Sequence, residues 1–152
     1  MYKKQRAFTL VEVMVVIAII AILAYISTPY LSSLLINSEL KEARNTLIQT
    51  LNKAKVIATS EATLVDIIIE NTDDSQKATI SYISKNNSID RTVELPKRIT
   101  LKEKYSFTFN ALGLLIDDAG APITGNVTLK PKNSDDLSET VEISNTGLIA
   151  ST

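Results

Sequence analysis

The chain has 152 residues, a length that suits one domain of ordinary size. Apolar residues make up 45% of it and charged residues 22%, so it is neither a disordered nor a collagen-like chain. It contains no cysteine and no histidine, which excludes disulfides and thiolate metal sites and removes the commonest general base. We therefore expect a protein that is not an enzyme and that carries no cofactor.

The first third of the chain contains one long apolar run, from Phe8 to Ile26. As a helix, a run of this length spans roughly 28 Å, close to the ~30 Å hydrocarbon thickness of a bilayer. Basic residues precede it at positions 3, 4 and 6, and none follows until Lys41, so we expect a cytoplasmic N-terminus. A cleaved secretory signal peptide is the alternative, but the run is longer than usual for one and contains a carboxylate.

That carboxylate, Glu12, is the most informative side chain of the segment. A charged residue at the centre of a membrane helix costs about 2.5 to 3.5 kcal/mol on insertion scales, and less near the end. Glu12 either stays hydrated near the cytoplasmic interface or awaits a positively charged partner such as an N-terminal amine. The spacing alone leaves both interpretations open.

The start of the chain resembles the class III signal of type IV pilins and type II secretion pseudopilins. The match consists of the basic leader up to Ala7, the sequence Phe8-Thr9-Leu10-Val11-Glu12 and the apolar run behind it. The resemblance implies that a prepilin peptidase cuts between Ala7 and Phe8 and that Phe8 is then N-methylated. It also implies that Glu12 pairs with a neighbouring subunit's N-terminal amine during assembly. The family usually has glycine before the cut, so we expect Ala7 to slow processing rather than prevent it.

Pro29 follows the apolar run and predicts a break or kink in the helix, at a place where the family commonly has a proline. Beyond it, apolar residues recur at intervals of three and four with charged residues between them, which is typical of an amphipathic helix. These residues are Leu40, Ala43, Leu47, Leu51, Ala54 and Ala58. We predict one long helix from about Phe8 to Thr59, with a membrane-spanning first half and a second half that packs on a sheet.

After Ser60 the sequence changes to short runs of β-branched and aromatic residues separated by turn signals, which predicts antiparallel hairpins. We predict strands at residues 63–70, 78–84, 89–95, 98–101, 105–109, 114–116, 126–130 and 140–144. The fold class is therefore α+β and pilin-like, a long N-terminal helix on an antiparallel β domain. The expected divisions are a cleaved leader at 1–7, a transmembrane and assembly helix at 8–29, its amphipathic continuation at 30–59 and the β domain at 60–152.

The tail from Tyr105 to Gly113, with a later strand ending near Asn145-Thr146-Gly147, is similar to the GspH/FimT group of minor pilins and pseudopilins. This resemblance implies a structural subunit of a type IV pilus or type II secretion pseudopilus, in filament initiation or a tip complex. The implied location is the bacterial inner membrane, with the C-terminal domain in the periplasm, and then the filament. The implied partners are the prepilin peptidase, other pilins, the inner-membrane assembly platform and membrane lipid.

Several polar clusters have a structural and a functional interpretation. The pairs Asp73-Asp74, Asp117-Asp118 and Asp135-Asp136 could ligate calcium, but aspartate is also a common turn residue and none shows the alternation of a calcium loop. The basic residues Lys97, Arg98, Lys102 and Lys104 fit a solvated strand edge better than a nucleic-acid patch. A membrane-anchored periplasmic binding domain unrelated to filaments remains a further alternative, and it would require Ala7-Phe8 to stay uncut.

A DNA-binding competence pilin is the alternative that the sequence disfavours most clearly. Some FimT-like pilins bind DNA through arginines that follow the last glycine, whereas here residues 148–152 contain none, and no basic residue follows Lys132. Phosphate binding needs several cations on one face. We therefore predict that DNA binds with a Kd weaker than about 10⁻⁴ M in a mobility-shift assay near physiological salt. Micromolar binding abolished by Lys102→Ala and Lys104→Ala would contradict this prediction.

Overall fold

The computed structural model describes residues 8–72, 77–85, 89–134 and 136–151, and side chains at 27–30 are outside this description. Ala7 and the rest of the predicted leader therefore lie outside the described residues, as does the side chain of Pro29, so the cleavage site and the kink stay predictions. The chain divides into two compact units, with the boundary between Leu35 and Ile36.

Helix α1 spans Leu10–Ser60 and crosses this boundary in the sequence. Between Leu10 and Ile26 its side chains are exposed and, apart from Glu12 and Tyr25, wholly apolar, which reflects the long run of aliphatic residues. Judged by length and composition, no single helical segment among the described residues qualifies as a membrane span, whereas the segments Leu10–Ile26 and Leu31–Ser60 qualify together as a bent pair.

In the second unit α1 buries one apolar stripe. All six residues predicted for this stripe are buried, five of them completely: Leu40, Ala43, Leu47, Leu51, Ala54 and Ala58. Three of the six are alanines, so the stripe combines small and large apolar side chains. The stripe belongs to one hydrophobic cluster that also contains buried residues of the β domain between Val65 and Ile143. The predicted amphipathic helix is thus confirmed.

In the part of the β domain that the structure describes, nine strands form two antiparallel sheets. Their bounds are β1 Val65–Thr72, β2 Lys77–Ser84, β3 Asp90–Glu94, β4 Ile99–Leu101, β5 Tyr105–Phe109, β6 Leu115–Ile116, β7 Gly125–Pro131, β8 Glu139–Ile143 and β9 Ile149–Ser151. The first sheet has the order β3-β2-β1-β5-β6, and the second has the order β4-β7-β8-β9. In the first sheet, Ile67 of β1 pairs with Tyr82 on one side and Phe107 on the other.

Alternation along the strands fixes which side chains enter the core. In β1, Val65, Ile67 and Ile69 are buried while the residues between them are partly exposed. The same alternation in β7 buries Val127 and Leu129. Since successive side chains point to opposite faces of a strand, each sheet presents one apolar face to the core and one polar face outward.

Two polar side chains join the sheets to each other. Asn71, near the end of β1, donates from Nδ2 to the carbonyl of Leu101 (3.1 Å) and accepts the N–H of Leu101 at Oδ1 (3.0 Å). The side-chain amide of Asn71 thus pairs with the backbone N–H and C=O of Leu101, as the backbone of a neighbouring strand would. The hydroxyl of Tyr105 in β5 accepts the N–H of Thr128 in β7 at 3.2 Å. Both side chains satisfy backbone groups where the two sheets meet.

The α+β class is confirmed, and each of the eight predicted strands matches an observed one to within two residues at either end. The ninth strand, β9, was not predicted. It has three residues, none of them buried, so it carries neither the alternation nor the apolar content on which strand prediction depends.

Two similar turns meet beside helix α1. In one, the N–H of Gly113 donates to the carbonyl of Asn110 (2.8 Å), and in the other the N–H of Gly147 donates to the carbonyl of Ser144 (2.9 Å). Both glycines have positive φ, 75° and 71°. The ammonium of Lys55 on α1 donates to the carbonyl of Gly147 at 2.8 Å. A Cβ at Gly147 would lie only 2.0 Å from the carbonyl oxygen of Gly113, so this contact excludes any side chain.

We therefore expect Gly147→Ala to destabilise the protein far more than Gly120→Ala. Gly120 has a similar φ of 82° but nothing within 4 Å of the added Cβ. Its substitution should cost only the left-handed backbone penalty of about 1 to 2 kcal/mol. At Gly147 a rigid backbone atom must also move, and we expect a loss on the order of 3 kcal/mol or more. Thermal unfolding of both variants in the same detergent measures the difference, and equal losses would contradict the close approach of the two turns.

Candidate assembly site

The first unit exposes a long apolar surface along its described residues. Large apolar side chains at its N-terminal end are more than half exposed, for example Phe8 at 85% and Leu10 at 75%. Exposed apolar residues then continue along the helix: Val11, Val13, Met14, Val15, Val16, Ile17, Ile19, Ile20, Ile22, Leu23 and Ile26. A contiguous apolar surface of this extent marks contact with lipid or with other protein.

Glu12 lies in the first turn of α1 and closes the end of the helix. The Glu12 carboxylate oxygen Oε2 accepts the backbone N–H of Thr9 at 2.9 Å and also the Thr9 hydroxyl at 2.9 Å. In return, the Thr9 hydroxyl oxygen accepts the N–H of Glu12 at 3.3 Å. This reciprocal arrangement is a capping box, in which the N-cap and the third helical residue satisfy each other's backbone donors.

The capping box has two electrostatic consequences. The carboxylate lies at the N-terminus of the helix, where the helix dipole favours a negative charge. Both of its bonds from Thr9 end on Oε2, and no described residue donates to Oε1. One oxygen of Glu12 thus remains able to accept a hydrogen bond from a cationic group that approaches the end of the helix.

Sequence reasoning identified Glu12 but missed Thr9. The signal was present, because Thr9 and Glu12 have the spacing of a capping box in front of an apolar run. Phe8 directly precedes the cap and is exposed. The structure thus brings Thr9 and Glu12 together at the helix end that follows the predicted cleavage position, while Ala7 and the side chain of Pro29 lie outside what it describes.

The other sequence candidates have structural roles or fall outside the description. Asp117 accepts the N–H groups of Ala119 (3.0 Å) and Ala121 (2.8 Å), so its carboxylate forms the turn itself. Residues 73–74 and 135 lie outside the described residues. Among the residues that the structure describes, no cluster of three acidic side chains is arranged to hold a metal ion.

Two of the four basic residues grouped by the sequence are paired with carboxylates. Arg98 lies 3.8 Å from the Glu39 carboxylate of α1, and Lys104 lies 2.6 Å from that of Glu70 in β1. The strand edge expected here is also not free, because Asn71 covers it at β4. Residues 97–104 therefore do not form one basic surface.

Known proteins resemble this chain in the sequence of its N-terminal segment and in its fold. A family model described as the prokaryotic N-terminal methylation motif matches residues 2–25, a range that includes Phe8, Thr9 and Glu12. No curated protein matches the sequence significantly.

Solved structures share the fold. FimU, a type IV minor pilin of Pseudomonas aeruginosa, matches with a TM-score of 0.57 and 21% identity over 75% of this chain and 88% of that one. A second crystal form of FimU gives 0.55 and 20% over 74% and 92%. EpsH, a minor pseudopilin from the type 2 secretion system of Vibrio cholerae, gives 0.50 and 13% over 75% and 96%.

The resemblance to type IV pilin-like proteins is thus confirmed by the N-terminal motif and by the fold. The chain carries the N-terminal methylation motif of prokaryotic pilins on a fold shared with a minor pilin and a minor pseudopilin.

Proposed function

We propose that this protein is a minor pilin or pseudopilin, a structural subunit of a type IV pilus or type II secretion pseudopilus that acts in filament initiation or in a tip complex. It is a building block and not an enzyme. Its partners are the prepilin peptidase, the assembly platform of the inner membrane and other pilins.

One observation carries the proposal. The helix end closed by Thr9 and Glu12 begins a segment that is apolar and exposed, and nearly all of this segment lies within the methylation motif at residues 2–25. A single folded chain has no means of covering that surface. Lipid covers it before assembly, and the equivalent helices of other subunits cover it in the filament.

The charges of the leader, of the new N-terminal amine and of Glu12 suggest how the subunit matures and assembles. The basic leader keeps the N-terminus in the cytoplasm, where the peptidase cuts between Ala7 and Phe8 and Phe8 is methylated. The C-terminal domain lies in the periplasm. Removal of the leader leaves a positively charged amine at Phe8, and Glu12 of a neighbouring subunit supplies the negative partner through Oε1. In a low-dielectric environment such a pair is far stronger than in water.

The first prediction concerns maturation. Protein purified from its native host should begin at Phe8 and carry an N-methyl group on its amine. Intact-mass analysis combined with sequencing of the N-terminal peptide measures both features. If Met1 were the only N-terminus recovered, the segment would be an uncut anchor and the proposal would be wrong.

The second prediction separates the two roles of Glu12. Glu12→Gln keeps a side-chain oxygen that can accept the bonds from Thr9, because glutamine also serves in capping boxes, but it removes the charge. Glu12→Ala removes both. If the charge pairs with a neighbouring amine, both variants should be processed and inserted into the membrane, yet both should be lost from filament fractions, by about tenfold or more.

The matched control is Glu42→Gln, since Glu42 is an exposed glutamate on the second half of the same helix. It should enter filaments at the wild-type level. Quantitative immunoblotting of sheared filament and membrane fractions gives the comparison. Normal incorporation of Glu12→Gln together with loss of Glu12→Ala would show that only the cap matters, and Glu12 would have no assembly partner.

A further inference from the structure

Strand β3 lies at the end of the first sheet and pairs with β2 alone. At the two ends of this pairing the N–H of Ser84 donates to the carbonyl of Ile89 (3.1 Å) and the N–H of Leu95 donates to the carbonyl of Ala78 (2.9 Å). In an antiparallel pair, residues that bond to the partner strand alternate with residues whose backbone groups point away from it. Because Ile89 and Leu95 bond to β2, the backbone N–H and C=O groups at positions 90, 92 and 94 point away from β2.

This outward edge of β3 is free within the part of the chain that the structure describes. No described group bonds to the outward backbone groups of Asp90, Thr92 or Glu94. The edge of β4 in the second sheet is different, because the Asn71 side chain bonds to the backbone of Leu101 there. The described fold thus covers the edge of β4 with a side chain and leaves the edge of β3 open to a further strand.

A groove lined mainly by apolar side chains runs beside this edge, between β3 and helix α1. It has a volume of about 420 Å³ and is lined by Asn52, Lys53, Val56, Ile57, Tyr82, Ile89 and Arg91. Of the large apolar side chains of α1 beyond Leu35, all of which the structure describes, Val56 alone is exposed (61%). Arg91 lies opposite the buried Tyr82, so the groove is on the helix-facing side of the sheet. A strand added to β3 would place alternate side chains over this groove.

Two cations, Lys53 and Arg91, give the groove a positive charge. Both are exposed, and neither forms an ion pair with a described carboxylate. Asp90 lies at the same edge but is paired with neither of them. The residues next in sequence to the groove that lie outside the description, 86–88, have uncharged side chains. The groove therefore favours a ligand that carries a carboxylate as well as apolar side chains.

The charges of β3 argue against a second copy of this strand as the ligand. In an antiparallel arrangement of two copies centred on Thr92, Asp90 of each copy would lie opposite Glu94 of the other. Like charges directly opposite each other destabilise a strand pair. In the same arrangement Arg91 would lie opposite Val93, so it would gain no carboxylate. The occupant must therefore have a different sequence.

We propose that an extended segment of a partner protein adds to β3 as a further strand. The side of this segment that faces the groove carries apolar residues and a carboxylate, which pairs with Lys53 and Arg91. Backbone hydrogen bonds supply affinity in such a strand addition, and the alternate side chains supply specificity. The proposal goes beyond the structural role of the subunit and does not depend on filament assembly.

The experiment adds a short peptide to the full chain in detergent micelles and follows the amide signals by NMR. The probe is acetyl-Thr-Val-Thr-Glu-Thr-Val-Thr-amide, which as a strand has valine, glutamate and valine on one face. The control peptide has lysine in place of the glutamate. The probe should shift the signals of Val56 and Arg91 and slow hydrogen exchange at the amide of Thr92. It should bind about tenfold more tightly than the control peptide.

Thr92→Pro tests the backbone edge. Proline is tolerated in an edge strand where the N–H points away from the sheet, so this change should keep the pairing with β2 and weaken binding of the probe by about tenfold or more. The matched control is Ser151→Pro in β9. The N–H of Ser144 donates to the carbonyl of Leu148 (2.8 Å), so the N–H at position 151 also points away from its partner strand. This control should change affinity by no more than about twofold.

A second variant tests the charges and does not depend on the fold of the proline variant. Lys53→Gln combined with Arg91→Gln changes two exposed side chains and should remove the preference for the glutamate peptide over the lysine peptide. A preference that survived this double substitution would overturn the proposal, as would equal weakening of the probe by the two proline substitutions.

The wild-type chain supplies further outcomes that would overturn the proposal. Protection of the Thr92 amide before any peptide is added would show that another part of the same chain covers the edge. Protection that rises with protein concentration would assign the edge to a second copy. Equally tight binding of decanoate, which has a carboxylate and an apolar chain but no peptide backbone, would make the groove a fatty-acid site. No binding of the probe would leave the charges of β3 as a device that prevents strand pairing.

Discussion

The β domain depends on the burial of one stripe of helix α1. Leu47 and Leu51 are completely buried at its centre, and the alanines at 43, 54 and 58 are completely buried with them. Because the apolar residues of both sheets join the same cluster, the helix is the common surface on which each sheet buries its inner face. The turns at Gly113 and Gly147 then close against the helix at Lys55, so their tight geometry is a consequence of this packing.

The two parts of α1 show how one helix can serve two environments. Between Leu40 and Ala58 the apolar residues recur with helical period, and the folded chain buries them all. Between Phe8 and Ile26 there is no polar face to alternate with, and the folded chain buries none of them. The amphipathic part can be satisfied within one chain, whereas the uniformly apolar part requires lipid or other helices on every side.

The parts of the molecule that follow from local pattern could be predicted from the sequence. The stripe of α1 and eight of the strands follow from periodicity, and Glu12 stands out in the sequence because a carboxylate in an apolar run is costly. What could not be predicted depends on contacts between distant segments. No local pattern shows that Asn71 covers the edge of β4 or that Lys53 of α1 lies near Arg91 of β3, because both facts follow from how distant segments pack.

The role of Thr9 could have been predicted, because Thr9 and Glu12 have the spacing of a capping box. The sequence analysis considered only the charge of Glu12 and therefore missed it. The capping box changes how that charge should be understood. A carboxylate that already accepts two hydrogen bonds from Thr9 and lies at the positive end of a helix dipole is partly stabilised before any neighbour arrives. Because both bonds end on one oxygen, an incoming amine need not break the cap in order to bind. If a neighbouring subunit's amine pairs with Glu12 as proposed, the helix end can stay intact during assembly, because the cap and the ion pair would use different carboxylate oxygens.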